Sequence, residues 1–504
     1  MRRATGIRIA GIVLIVLALE AAFRVRWIHG LHLYPPSAIA LELMKLSDSA
    51  EFWAAVRTSA RGIVVAFAMA IGGGCVVGVI LHKLPRFRAA IEPLIASYYA
   101  LPFFVLYPLL VVLMGLNQAP IILIGFLYAV MAMIVGALNG LDRIPLVLRR
   151  TSRMMHLSDM QQAFHISLPA AAPYLFTGAK LALGYSITGV LGSEFILADS
   201  GFGYQIAFAY NNFEDLKMYA LLLFLLVVVS ALTILLHWAE RSVRHRSGPS
   251  VGTTEKKAAT RMGYALAALG VLSVLFVAWQ LMHMRAGSEA IASPVETFAQ
   301  FAKLIATERF WGHISETLRA LALAILVSCV LGILIGVALG QSALASETLS
   351  PVLVTLYALP KVALYPLVLL FVGIGFGAKV VFGAMYGTIP MILIAMNAVR
   401  SMNPSFIRTA DALRLSAGQR LWTIVVPAVV PEIVAGVRVS FSITLLGVMI
   451  GEMFAANRGL GFVVMNSINV NDTATMMSIM FLVSIFAVAM NSALLAAERR
   501  LNRA

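Results

Sequence analysis

The chain is 504 residues long, 61% hydrophobic and only 12% charged, with a mean hydropathy of +0.91. A soluble core of this length would carry far more surface charge, and several apolar runs reach the ~20 residues needed to cross a bilayer, so the chain reads as a polytopic α-helical membrane protein. Its formal charge of +15 would suit nucleic acid, but about 23 of the 38 Lys and Arg fall in segments assigned below to the cytoplasmic side and about 11 in external ones, which is the positive-inside bias and argues against a nucleic-acid partner.

Spanning helices are predicted near 7–24, 60–81, 95–114, 121–139, 173–197 and 218–238, and again near 263–282, 318–339, 353–372, 379–397, 431–455 and 476–496. The second set is the first displaced by 258 residues. Tyr99-Ala-Leu-Pro102 returns as Tyr357-Ala-Leu-Pro360, Tyr107-Pro108 as Tyr365-Pro366, Pro169 as Pro427 and Glu194 as Glu452. Between 99 and 115 about nine of seventeen positions are identical, and no gap is needed anywhere. One unit written twice points to two halves around a pseudo-two-fold axis. Six crossings per half return the chain to its starting side, so both halves insert alike and the axis runs along the membrane normal. The first unit is assigned to 1–246, a cytoplasmic linker to 247–262 and the second unit to 263–504. The linker has the only Ser/Gly/Thr/Lys-rich composition of the chain.

Arg2, Arg3 and Arg8 precede the first helix; Lys83, Arg86 and Arg88 follow the second; Arg143, Arg149, Arg150 and Arg153 follow the fourth. These mark the cytoplasmic side, with both termini on it. Met-Arg-Arg before the apolar run 7–19 resembles a secretory signal, yet its counterpart at 265–277 lies mid-chain, so it is read as a retained membrane helix. Two external segments, 25–58 and 283–316, carry amphipathic stretches. Cys75 and Cys329 are not equivalent under the offset and read as packing residues.

The longest cytoplasmic stretch of each half lies between helices four and five, about 140–172 and 398–430. In the second half Ala410, Leu413, Ala417 and Leu421 recur at helical spacing, with Asp411, Arg414 and Gln419 elsewhere on the wheel. Such a helix can lie on a lipid surface. A plain connection needs only a handful of residues, however, and this one occurs twice at equal length, which favours a helix laid into a partner's groove.

On these residues the chain resembles the inner-membrane permease component of binding-protein-dependent ABC importers, in their nitrate/sulfonate/taurine branch, with two units fused. Ending the family's Glu-Ala-Ala…Gly…Ile-x-Leu-Pro loop at Pro427 sets Ile424, Val426 and Ala410 on matching positions; ending it at Pro169 sets Ile166 and Leu168 there, with Ser152 at the place of Ala410. The family's Glu is replaced by Arg150 and Arg408, and its Gly by His156 and Arg414. Ala358-Leu-Pro-Lys-Val-Ala-Leu-Tyr-Pro366 with Gly373-Ile-Gly375, and Gly451-Glu…Gly-Leu-Gly461, resemble signatures of the branch. The resemblance implies about 12 transmembrane helices as two six-helix permease units. It also implies two ATPase subunits docking on the loops, an external solute-binding protein (periplasmic or lipid-anchored), and a bacterial inner membrane as the location.

The chain has no phosphate-cradling Gly-x-x-x-x-Gly-Lys-Ser/Thr loop and no His-Glu-x-x-His, so no cofactor and no metal is expected on it. ATP with Mg²⁺ would be bound by the partner. Charges inside spans are costly and usually face a cavity or partner. Lys180 and Arg438 are equivalent under the offset, and either line a path or snorkel to the interface. Lys361, just after the Leu-Pro break, faces Phe103 under the offset and suits an asymmetric translocation path, with Pro102 and Pro360 beside it. Glu194 and Glu452 end helix five and either touch a binding protein or cap structure. Gly74 and Gly78 match Gly332 and Gly336 as small residues for close helix approach. The expectation is the membrane subunit of an ATP-driven importer of a small, anionic solute, which breaks no covalent bond. The competing readings are an ion-coupled twelve-helix carrier, which would need more deep acids than Glu20, and a non-transporting scaffold.

Overall fold

The computed structural model describes residues 2–25, 33–98, 103–244, 261–288 and 291–501, and every regular element among them is helical. The first half runs α1 (Arg2–Arg24), α2 (Pro36–Ser47), α3 (Ala50–Lys83), α4 (Pro85–Ser97), α5 (Tyr107–Met114), α6 (Gln118–Asp142), α7 (Leu146–Met154), α8 (Asp159–Gln162), α9 (Leu168–Leu197), α10 (Phe202–Asn211) and α11 (Asp215–Arg244). The second runs α12 (Arg261–Ala286), α13 (Pro294–Ile305), α14 (Glu308–Gly340), α15 (Ala343–Ala358), α16 (Tyr365–Val372), α17 (Phe376–Arg400), α18 (Pro404–Ala412), α19 (Ala417–Arg420), α20 (Val426–Ala455), α21 (Leu460–Asn469) and α22 (Thr473–Leu501). α6 and α17, or α9 and α20, begin and end at positions 258 apart, so the repeat read in the sequence is a repeat in structure. The expected linker, but for its last residues, lies outside the described residues.

Eight helices among the described residues are long and apolar enough to cross a membrane, nine if one bent pair counts as a span. The Leu-Pro break expected in the third helix is a sharp one. In the second half, α15 and the segment after it meet at 89°. The cause is Leu359-Pro360: the proline ring bars its predecessor from the helical region, and Leu359 sits extended at ψ 134. A 3₁₀ turn over Lys361–Leu364 then leads into α16. In the first half α4 and α5 flank the equivalent break, but Pro102 lies outside the described residues.

The long helices invert the pattern of a soluble protein. α3 buries Ala66, Ala70, Gly74 and Gly78, while Val64, Val76 and Ile80 are exposed. With lipid as the outer solvent, large apolar side chains gain nothing by turning inward, and small ones let backbones approach. A Cβ on Gly332 would stand 2.5 Å from Met391 Cβ on α17, and one on Gly336 2.7 Å from Ala395 Cβ. Packing accounts for these glycines.

The halves are interlocked. α1 packs on α15 of the second half, and α12 packs on α4 of the first. Tyr185 on α9 and Tyr357 on α15 share a hydroxyl–hydroxyl hydrogen bond of 2.6 Å. Short helices brace the rim: α2 lies on α11 and α13 on α22. α13 is held by a capping box in which Ser293 Oγ accepts from Glu296 N and Ser293 N donates to the Glu296 carboxylate. Hydrogen bonding to the carboxyl from the Ser293 backbone, and then from its side chain, holds Glu296 below its usual range.

Candidate functional site

Two features stand out, a pair of levers at one end of the bundle and a cavity between the halves. Each lever is built the same way. α7 and α18 end in residues with positive φ, His156 at +49° and Arg414 at +51°. The N–H of the next residue reaches back to close the helix, Leu157 to Ser152 O and Leu415 to Ala410 O, both at 3.1 Å. This is a Schellman-type stop, which favours glycine at the left-handed position. The departures from glycine noted above thus fall at a site that still adopts the glycine conformation.

A Ser-x-x-Gln capping box then starts the next short helix. Ser158 N donates to Gln161 Oε1 and Gln161 N to Ser158 Oγ; Ser416 and Gln419 do the same. Next comes one widened π turn in each half, Ala163–Ser167 and Leu421–Val425. Pro169 and Pro427 explain it. A proline offers no N–H and its ring strikes the carbonyl four residues back, so the helix widens by a residue. The lever then runs without interruption into α9 or α20.

The predicted lever residues divide into two groups. Arg150, His156, Leu168, Pro169, Arg408, Leu413, Arg414 and Pro427 are exposed, and Ile166 and Ile424 half-buried. Ser152 and Ala410 are buried, so they anchor the lever and offer no face to a partner. Sequence reasoning missed the most conspicuous apolar side chains here. Phe164 is 60% exposed and its offset mate Trp422 71%; Met155, also missed, is the exposed offset mate of the predicted Leu413.

The cavity lies between the halves and encloses about 70 Å³, room for several water molecules. Its walls come from α6, α9 and α11 of the first half and from α15, α17 and α20 of the second. Lys180 and Lys361 line it, together with Tyr128, Tyr185, Tyr357 and Tyr386, and no Asp or Glu does. Lys361 is 5% exposed. It donates to Tyr357 O at 3.1 Å and lies 5.0 Å and 5.1 Å from the ring centres of Tyr357 and Tyr386. Pro360 is buried beside it. Arg438 does not line this cavity. It stands 3.1 Å from Glu498 at an angle that makes an ion pair rather than an aligned hydrogen bond.

Glu194 and Glu452, at the far end of α9 and α20 from the levers, are fully buried, so neither presents a surface. Each holds the turn entering α10 or α21. Glu194 accepts from Ser59 Oγ at 2.6 Å and Gly203 N at 2.9 Å. Glu452 accepts from Thr317 Oγ1 at 2.8 Å and Gly461 N at 3.0 Å. The second half adds Lys379, 2% exposed, 2.9 Å from Glu316 and 3.7 Å from Glu452; the first half has Ile121 at that position. Among the described residues no group of three His, Cys, Asp or Glu is placed to hold a metal.

A family model described as the binding-protein-dependent transport system inner membrane component matches residues 52–246 and 328–504. The chain belongs to this family. It is 29% identical over 191 residues to the taurine transport system permease protein TauC of Escherichia coli (strain K12), covering 38% of this chain and 70% of that one. It is 26% identical over 197 residues to the putative aliphatic sulfonates transport permease protein SsuC of Bacillus subtilis (strain 168), covering 39% and 71%. To the nitrate import permease protein NrtB of Synechocystis sp. (strain ATCC 27184 / PCC 6803 / Kazusa) it is 26% identical over 150 residues, covering 30% and 54%. The two matched stretches make the chain two tandem permease units of a multi-pass inner-membrane protein, in a family of transport subunits rather than enzymes.

Proposed function

We propose that this chain is the whole membrane-spanning part of an ATP-driven importer for a small anionic solute of the nitrate, sulfonate or taurine kind. Two separate ATPase subunits dock on the levers at 146–168 and 404–426 and carry out all ATP hydrolysis, while an external binding protein delivers the solute. Both termini face the cytoplasm in this reading, on the side of the levers.

The observation that carries the proposal is the matched pair of levers, each with an exposed aromatic, Phe164 or Trp422, on its π turn. Each lever continues into a helix that forms a cavity wall: Lys180 and Tyr185 on α9, Ile443 and Leu446 on α20. A push on the two levers therefore moves opposite walls of the cavity, which is the rocking that alternating access requires. Lys361 supports an anionic solute, because a buried ammonium without a nearby carboxylate attracts negative charge. The two fully buried acids, Glu194 and Glu452, which an ion-coupled carrier could use, are taken up in holding α10 and α21.

Purification of the tagged chain from its native membranes tests this. Two ATPase subunits per chain are expected to come with it, and to be lost from the double variant Phe164→Ala/Trp422→Ala while the chain still accumulates in the membrane. Solute uptake by the chain alone, with no ATPase present, would overturn the reading.

A further inference from the structure

We propose that the ATPase surface receiving each lever is acidic where it meets Arg150 or Arg408, so that a carboxylate of the partner pairs with one arginine of each half. The proposal rests on the transport reading above and specifies the chemistry of the partner at that contact.

Arg150 on α7 and Arg408 on α18 are 258 residues apart. Residues 143–168 hold four arginines and 401–426 three, and of these seven only Arg150 and Arg408 are offset mates. The positive-inside bias favours arginine anywhere near the cytoplasmic end of a span; it fixes no register. The fold does. Ser152 and Ala410, two residues further on, are buried at 0% and 1% exposure. Two residues turn a helix by about 200°, so each buried anchor sets its arginine on the opposite, outward side. Both arginines are exposed, and neither has an ion pair or hydrogen bond among the described residues. Other lever arginines are engaged within the chain: Arg143 donates to the Tyr174 hydroxyl at 3.4 Å, and Arg420 stands 3.5 Å from Asp411.

Positions three before and four after a helical residue share its face. Around Arg150 these are Val147 and Met154, 71% and 80% exposed. An exposed arginine between such apolar groups has the composition of a protein interface rather than of a solvated face. A partner that covers them strips water from the guanidinium, and a dehydrated guanidinium without a counter-charge is costly. A carboxylate answers it with two parallel hydrogen bonds. The levers do not supply one, since their only acids are Asp159, beyond the turn at His156, and Asp411, already beside Arg420. An anionic membrane surface also attracts arginine, but a helix lying on lipid needs a large apolar face. The outward face of α18 carries Ser405, Arg408 and Ala412, all exposed. The arginine is kept where the apolar flank is not, which favours a partner's carboxylate over a lipid headgroup.

The test uses the tagged full chain purified from its native membranes with the ATPase that accompanies it. Arg150→Lys/Arg408→Lys places a primary amine at each contact. It should keep capture within about fivefold of wild type, and a water-soluble carbodiimide should join the new amines to Asp or Glu side chains of the ATPase, located by mass spectrometry. Arg150→Glu/Arg408→Glu sets like charges against each other and should weaken capture about a hundredfold. That variant should accumulate in the membrane like wild type, because neither arginine has a partner in the chain. The proposal falls if the lysine variant captures the ATPase but forms no carbodiimide link to it, or if the glutamate variant captures like wild type. It falls equally if the glutamate variant keeps its capture but accumulates poorly, which would assign the arginines to the lipid surface. Each of these results leaves the transport reading standing, because an ATPase still comes with the chain. A wild-type chain that brings none overturns that reading, and the acidic contact with it.

Discussion

The duplication supplies an internal comparison for the buried carboxyls at the far end of the bundle. Ser59→Ala removes the hydroxyl that donates to Glu194 at 2.6 Å and accepts from Phe202 N at 2.7 Å. Losing the bond to the carboxyl costs about 1.5–3 kcal/mol, and stranding the buried Phe202 N–H costs about 1–3 kcal/mol more. Together they give roughly 3–5 kcal/mol, since the two overlap. Thr317→Val is the equivalent change in the second half, and removes the bonds to Glu452 and from Leu460 N. There the remaining carboxyl keeps Lys379 at 3.7 Å as well as Gly461 N, whereas Glu194 keeps only Gly203 N. Thr317→Val should therefore cost about 1–2 kcal/mol less than Ser59→Ala, because a buried cation still serves the stranded acceptor. Unfolding in mixed micelles of rising denaturing-detergent fraction, followed by tryptophan fluorescence, reads the difference. Equal losses, or a larger loss for Thr317→Val, would refute the claim that Lys379 supports Glu452. Lys379→Met in the Thr317→Val background should abolish the advantage of the second half.

Other changes have simpler consequences. Gly332→Leu drives a side chain into Met391 on the facing helix and should cost about 3 kcal/mol or more, seen as failure to accumulate in the membrane. Gly270→Leu, with nothing within 4 Å of its Cβ, should accumulate like wild type. Arg414→Gly suits the left-handed backbone at the lever turn and should leave unfolding unchanged or stabilise by up to about 1 kcal/mol, while Arg414→Val should cost about 1–2 kcal/mol in the same micelle titration. Arg438→Met should leave solute uptake within about twofold of wild type, because Arg438 pairs with Glu498 away from the cavity, an effect within the small range of changes remote from a site; a tenfold loss would return Arg438 to the path.

Much of this molecule is legible in the chain because a gapless offset of 258 residues survives in it. Tyr-Ala-Leu-Pro occurring twice, Pro169 with Pro427 and Glu194 with Glu452 locate equivalent places before any fold is known, and the lever segments are marked by their length and prolines. The break in helix three is also written locally, in Leu359-Pro360, yet its size is not. A proline forbids continuation, but the packing of α15 and α16 against their neighbours chooses an 89° bend. The exposed Phe164 and Trp422 were hidden by the apolar background, where another aromatic carries little signal. Their offset equivalence was the available clue.

Hydropathy, charge bias and repetition by themselves determined that this is a duplicated helical membrane protein with two matched loops, since span length and charge placement follow from the bilayer and are local to each segment. Which intramembrane charges share a space was decided only in three dimensions. Lys180 and Arg438 are equivalent in sequence, yet one lines the cavity and the other turns to Glu498; Lys361 and Lys379 are both buried, yet only the second meets carboxylates. The reason is physical: a charge's environment is set by whichever helix faces it, often from the other half of the chain, and those neighbours are hundreds of residues apart until the halves interlock.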